Sequence, residues 1–177
     1  MSSLLFSGDR LNTFIETKLI KHIKKDLRHY KLFTEMDMHA VIYYHLREAI
    51  GSREDWYVRC NFGVEGKRPD IVIFNRYNPK FVFELAFKIS DIQNFPEDKL
   101  SKDREKLRKF KSLFPSTGKA YLIGIFDADK SYSYKLKEGR EWEKHYYREL
   151  LINVQEMYDY KRWKEDWAII KNNHKVR

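Results

Sequence analysis

The chain has 177 residues, 42% of them hydrophobic, so it can bury one core and we expect a single domain over residues 1–177. Its 35 Lys and Arg against 26 Asp and Glu give a formal net charge of +9, which favours a polyanionic partner such as nucleic acid. One cysteine excludes an internal disulfide and a multi-cysteine zinc site. Because no signal-peptide pattern and no long apolar run are seen, we expect a soluble, cytoplasmic protein that does not enter a membrane.

The first part of the chain predicts two helices. Apolar residues recur at helical spacing over residues 9–31, and a second helix begins after Thr34, whose hydroxyl can cap it. Glu35 falls in the first turn of this helix, and Gly51 ends it.

Three strands are predicted next, over residues 56–62, 68–74 and 81–89. A short turn-rich segment, 75–80, joins the second strand to the third, so these two strands should be antiparallel. Both have near-continuous apolar runs, which is typical of central strands covered on both faces.

A helix over 96–114 and a fourth strand over 119–126 follow. Because this helix connects the third strand to the fourth, these two strands should be parallel. Residues 140–172 are expected to be a helical tail. Its apolar residues should cover the core or form the surface of a homodimer; they are Trp142, Tyr146, Tyr147, Leu150, Val154, Trp163 and Trp167. The predicted fold is therefore α/β, with a mixed four-stranded sheet flanked by helices.

Two carboxylates stand out within these strands. Asp70 precedes the apolar run Ile71–Phe74, and Glu84 lies inside Phe81–Phe87, where an ionised side chain is unfavourable unless it is paired or bound to a metal. Antiparallel pairing of the two strands can bring these carboxylates together. Mg²⁺ or Mn²⁺ prefers such oxygen ligands, and the backbone carbonyl of Leu85 is a natural further one.

These elements together resemble the PD-(D/E)XK, or restriction-endonuclease-like, nuclease superfamily. The resemblance covers about residues 34–127 and rests on Pro69-Asp70, on Glu84-x-Ala86, on Asp103-x-x-Lys106 in the following helix, and on the order of the elements. It implies a metal-dependent nuclease that hydrolyses DNA phosphodiester bonds. It also implies Glu35 as a further metal ligand and catalytic residue, with Asp37 and His39 as alternatives.

The lysine of the family pattern is missing, because Ala86 occupies its position. One explanation is that the natural protein has lysine there and Ala86 is a deliberate change made to preserve uncut substrate. Another is that Lys88, Lys102 or Lys106 has taken over its role. The third is a degenerate site retained by a non-catalytic DNA-binding or assembly module.

Basic residues near the predicted site could contact the phosphate backbone of DNA without sequence preference. These residues are Arg59, Lys67, Arg68, Lys102, Lys106 and Lys109. Whether the DNA is duplex, single-stranded or branched is not determined by any of these patterns.

Overall fold

A computed structural model describes residues 8–63, 66, 68–89, 97–127, 147–157 and 159–174. Its helices are α1 (Gly8–Phe14), α2 (Ile20–Arg28), α3 (Glu35–Ile50), α4 (Glu97–Leu113) and α5 (Tyr160–His174). A π-helical segment, Ile15–Leu19, joins the first two helices, and Val154–Glu156 forms a 3₁₀ turn. The strands are β1 (Trp56–Cys60), β2 (Ile71–Asn75), β3 (Asn78–Lys88), β4 (Lys119–Phe126) and β5 (Tyr147–Asn153).

The five strands form one mixed sheet in the order β1-β2-β3-β4-β5. β1 pairs with β2, and β2 with β3, in antiparallel fashion, whereas β3 pairs with β4, and β4 with β5, in parallel. The predicted α/β class and the predicted directions of the second, third and fourth strands are therefore confirmed. A two-residue turn, Arg76 and Tyr77, joins β2 to β3, and Arg76 adopts a positive φ of 54° there.

The fifth strand corrects the prediction of a four-stranded sheet and a wholly helical tail. Residues 147–153 have apolar side chains three and four apart, which suggested a helix, but they form β5 beside β4. Leu150 and Ile152 pack on one face of the sheet, while Tyr147 and Leu151 pack on the other. Parallel pairing and burial on both faces therefore outweigh the local helical pattern. The helical prediction is confirmed for α5, and residues 140–146, with Trp142 and Tyr146, lie outside the described residues.

The sheet separates two hydrophobic cores. The α3-side core contains Met38, Ile42 and Leu46 of α3 together with Ile71, Phe83 and Leu85 of the sheet. The α4-side core contains Leu100, Leu107 and Phe110 of α4 together with Val72, Val82 and Ala86. Alternate residues of β3 therefore face opposite helices, and Glu84 falls on the same face as Val82 and Ala86.

Helix α5 lies against the α3-side core. Trp163 and Trp167 are buried, and their indole N–H groups donate to the carbonyls of Leu27 (2.9 Å) and Leu32 (3.0 Å). These two tryptophans therefore cover the core, which was one of the two roles expected of the tail. No helix in the described part of the chain has the length and apolar character needed to cross a membrane.

Candidate active site

Asp70 and Glu84 meet where β2 begins. Ile71 pairs with Phe83, so the preceding residue, Asp70, falls opposite Glu84, and the Asp70 N–H donates to the Phe83 carbonyl at 3.1 Å. On the other side, the Asn61 N–H donates to the Asp70 carbonyl at 3.0 Å. The predicted juxtaposition of the two carboxylates thus follows from the register of the strands.

The carboxylate of Asp70 is held by the backbone of β3. Its Oδ2 accepts a hydrogen bond from the Leu85 N–H at 2.7 Å, and its Oδ1 lies 3.7 Å from His39 Nε2. Burial raises the pKa of Asp70, although the Leu85 N–H and the charges of His39 and Lys106 act in the opposite direction. The N–H and C=O of one residue in an extended strand point toward the same side. The Leu85 carbonyl therefore points toward the Asp70 side of β3.

Glu84 is completely buried, and Lys106 of α4 forms a hydrogen bond to it. Lys106 Nζ lies 2.6 Å from Glu84 Oε2, and the lysine side chain is 43% exposed. Burial, followed by the charge of Asp70, raises the pKa of Glu84 to about 8. Burial lowers the pKa of Lys106, but its hydrogen bond to Glu84 and the charges of Glu84 and Asp103 outweigh this, so that pKa is raised.

Asp103 adds a third carboxylate to the cluster. Its Oδ1 lies 3.2 Å from Lys106 Nζ, and its side chain is 5% exposed. Glu84 Oε1 and Asp103 Oδ2 are both buried and have no hydrogen-bond partner. Glu84 and Asp103 thus share Lys106, Asp70 lies beside His39, and two carboxylate oxygens are unsatisfied. This is an environment that favours an additional cation.

The lysine that reaches the carboxylates comes from α4, one of the positions suggested by the sequence. Ala86 is 3% exposed and packs within the α4-side core. Lys88 lies two residues beyond it at the end of β3, and Lys102 is exposed on α4. The ion pair with Glu84 belongs to Lys106. Asp103 was not predicted as a site residue, although its spacing of three residues from Lys106 on one helix was a signal.

The acidic residues at the start of α3 have different surroundings. Asp37 is engaged in capping that helix, because its Oδ2 accepts hydrogen bonds from the N–H groups of Phe33 (3.0 Å) and Thr34 (2.9 Å). Glu35 is near enough that its charge contributes to raising the pKa of Asp70. Among the described residues, no three His, Cys, Asp or Glu side chains are placed to hold a metal ion. The metal-ligand set therefore stays a prediction.

Most of the predicted basic residues lie on the surface. Arg59, Arg68, Lys102 and Lys109 are exposed, whereas Lys67 is outside the described residues. A shallow depression of about 440 Å³ on α4 is lined by Ser101, Lys102, Glu105, Lys106, Arg108 and Lys109. Lys106 thus connects the buried carboxylates to a basic helix surface.

Comparison of the chain with protein-family models, with curated proteins and with solved structures finds no match.

Proposed function

We propose that the chain is a metal-dependent nuclease of the restriction-endonuclease-like kind, hydrolysing DNA phosphodiester bonds. One observation carries the proposal: Asp70, Glu84 and Lys106 converge at one end of two strands, with two buried carboxylate oxygens left unsatisfied beside them. Structural ion pairs rarely leave such oxygens without partners, because each costs about 1–3 kcal/mol. A cation at this position would remove that cost.

The donor atoms suit Mg²⁺ or Mn²⁺, which bind carboxylate and carbonyl oxygens. Asp70 and Glu84 would hold the ion, with the Leu85 carbonyl and Glu35 as further ligands. When bound, such an ion supplies Lewis acidity at the phosphate and lowers the pKa of a coordinated water. The hydrogen bond from the Leu85 N–H keeps the Asp70 carboxylate oriented for this role.

In this proposal Lys106 takes the part of the lysine expected at position 86. A lysine ammonium at such a site positions the attacking water and stabilises negative charge on the phosphate. Lys106 is suited to this because it is partly exposed and also contacts Asp103, so it can turn toward a phosphate without losing all of its partners. The exposed Lys102 and Lys109 on the same helix would hold neighbouring phosphates.

Cleavage of labelled DNA in the presence of Mg²⁺ or Mn²⁺ tests the proposal, with single-stranded, duplex and branched substrates in parallel. We expect cleavage that a chelator abolishes and that Asp70→Asn lowers by about 100-fold or more, since one metal ligand is lost. Asp55→Asn is the matched control, because Asp55 is 60% exposed and pairs with Arg76 at the turn before β3.

Two results would contradict the proposal. One is full activity in Asp70→Asn, which would show that the cleavage arises elsewhere. The other is the absence of cleavage with every substrate and both metals. If DNA binding remained in that case, the chain would be a non-catalytic DNA-binding module, the second function that the sequence suggests.

A further inference from the structure

An aromatic recess of about 480 Å³ opens beside β1 and the β2–β3 turn. Its lining includes Tyr57, Arg59, Phe62, Phe74 and Tyr77. Tyr77 is 92% exposed, so it makes little contribution to the hydrophobic core. Recesses of this size accommodate ligands of about the size of a nucleotide.

The recess lies on the same side of the sheet as Glu84. Tyr57 and Phe62 pack against the α4-side core, and Asn61 follows β1 directly and is hydrogen-bonded to Asp70. Tyr57 is four residues before Asn61, which corresponds to about 13 Å along the strand. Glu84 is two strands away from β1, which corresponds to about 10 Å across the sheet. A nucleic-acid strand lying over the carboxylates would therefore reach the recess within about three to five nucleotides.

The side chains of the recess are arranged for stacking. Tyr57 stacks on Phe74 with ring centroids 5.0 Å apart and an interplanar angle of 7°, and Phe62 meets Phe74 edge-on. The guanidinium of Arg59 lies 5.6 Å from the centre of the Tyr57 ring. Aromatic faces combined with a guanidinium bind nucleobases by stacking and the adjoining phosphate by charge.

A second arginine lies at the margin of the recess. Gly63 is one of the lining residues, and a Cβ atom placed on it would lie 3.5 Å from both Cγ and Nε of Arg68. Arg68 therefore runs alongside Gly63, and two exposed guanidinium groups flank an otherwise aromatic surface. This charge complements a phosphate backbone, whereas a purely apolar ligand would not need it.

We propose that this recess binds an unpaired nucleobase of a single-stranded DNA segment next to the carboxylate site. The inference rests on the proposed function in placing that segment beside a nuclease centre. A base that stacks on Tyr57 or Tyr77 must first leave the base stack of its duplex, which favours single-stranded or locally melted DNA. The recess thus favours single-stranded or locally melted DNA as the substrate, whereas the carboxylates alone do not distinguish between forms of DNA.

Binding to fluorescently labelled oligonucleotides without divalent metal tests this apart from cleavage. We expect single-stranded oligothymidylate to bind more tightly than a duplex of equal length, and a strand of abasic sites to bind about tenfold more weakly. Tyr77→Ala should lower the affinity for oligothymidylate by about tenfold, and Tyr77→Phe should retain it. Tyr44→Ala is the control, because Tyr44 is 59% exposed on α3, across the sheet.

A stacking-specific signal completes the test. Oligonucleotides carrying 2-aminopurine should lose fluorescence on binding to the wild-type chain and to Tyr77→Phe, and lose much less with Arg59→Ala or Tyr77→Ala. Equal affinity for abasic and base-containing strands would overturn the inference, as would duplex binding as tight as single-strand binding. Base-dependent binding without cleavage by any metal would instead contradict only the proposed function.

Discussion

At Glu84, two opposing effects act on one carboxyl group. Burial and the charge of Asp70 raise its pKa to about 8, while Lys106 favours the ionised form. Lys106 also forms an ion pair with Asp103, so its single ammonium group is shared by two buried carboxyl groups. When Glu84 is ionised the cluster is short of positive charge, so a divalent cation would displace the Glu84 proton and would bind more favourably as the pH rises toward about 8.

This arrangement predicts a pH-dependent stability. Between pH 4.5, the ordinary pKa of glutamate, and about pH 8, folded Glu84 keeps a proton that the unfolded chain has released. The free energy of unfolding should therefore fall as the pH rises through this window. In Glu84→Gln the free energy of unfolding should decrease less steeply with pH than in wild type. Above about pH 8 the variant should be the more stable of the two, by a few kcal/mol at most.

Urea unfolding from pH 5 to 9 without divalent metal measures this effect. Asp70 contributes in the same direction because its pKa is also raised, so a smaller slope should remain in the variant. Glu105→Gln is the control, since Glu105 is 50% exposed on the same helix. Identical slopes in Glu84→Gln and wild type would show that Glu84 is already ionised in the folded chain at pH 5.

At the scale of the elements, the α3 cap, β2, β3, α4 and β4 could be predicted from local patterns. Thr34 and Gly51 do bound α3, and the short link between β2 and β3 does make them antiparallel. The juxtaposition of Asp70 and Glu84 followed from the same register. These features were accessible because caps, turns and strand alternation are determined by residues close together in the sequence.

Other features depend on contacts between distant parts of the chain. Residues 147–153 form a strand because the backbone of β4 provides them with hydrogen-bond partners. The spacing of Leu150, Leu151 and Val154 in the sequence does not reveal this pairing. Lys106 could be named as one of three candidate lysines, but only the packing of α4 on β3 selects it. Asp103 is buried by that same packing, although its neighbours in sequence are mostly charged.

The connection between α4 and β5 yields a prediction at this scale. Arg104 donates to both carboxylate oxygens of Glu149, at 2.6 and 3.2 Å, with side chains only 16% and 3% exposed. Arg104→Met should lower the free energy of unfolding by about 3 kcal/mol, because it leaves the Glu149 charge buried without its main partner. Arg104→Met combined with Glu149→Gln should recover much of that loss, because no buried charge remains and Tyr147 keeps its hydrogen-bond acceptor.

A double-mutant cycle by urea unfolding measures the coupling. The control is Arg108→Met, since Arg108 and Glu105 form an exposed pair on the same helix and its loss should change stability by no more than about 0.5 kcal/mol. If the decreases in the free energy of unfolding of the two single variants were additive in the double variant, Arg104 and Glu149 would not be coupled, and the pair would not connect α4 to β5 as described.

At the scale of the whole molecule, the proposed functions lie on the α4 side of the sheet. The carboxylate cluster lies where β2 begins, beside Glu84 of β3, the basic surface of α4 adjoins it through Lys106, and the aromatic recess lies beside β1. The other side of the sheet is covered by α2, α3 and α5 around the larger core. The α4 side has a smaller core of its own, and beside it lie the carboxylates, cations and aromatic rings on which the proposed DNA binding depends.

We propose above all that Lys106 acts in place of the lysine absent at position 86. The most direct test of this claim is the rate of metal-dependent DNA cleavage by wild type, Lys106→Ala, and the double variant Ala86→Lys with Lys106→Ala. Ala86 is two residues from Glu84 on the same face of β3, so a lysine there can bring an ammonium back to the cluster.

We predict that wild type cleaves, that Lys106→Ala is slower by about 100-fold, and that the double variant regains most of the rate. Lys161→Ala, at an exposed position of α5 on the other side of the sheet, should leave the rate unchanged, and circular dichroism verifies that each variant is folded. An undiminished rate in Lys106→Ala, or cleavage that appears only when lysine is placed at position 86, would contradict the claim.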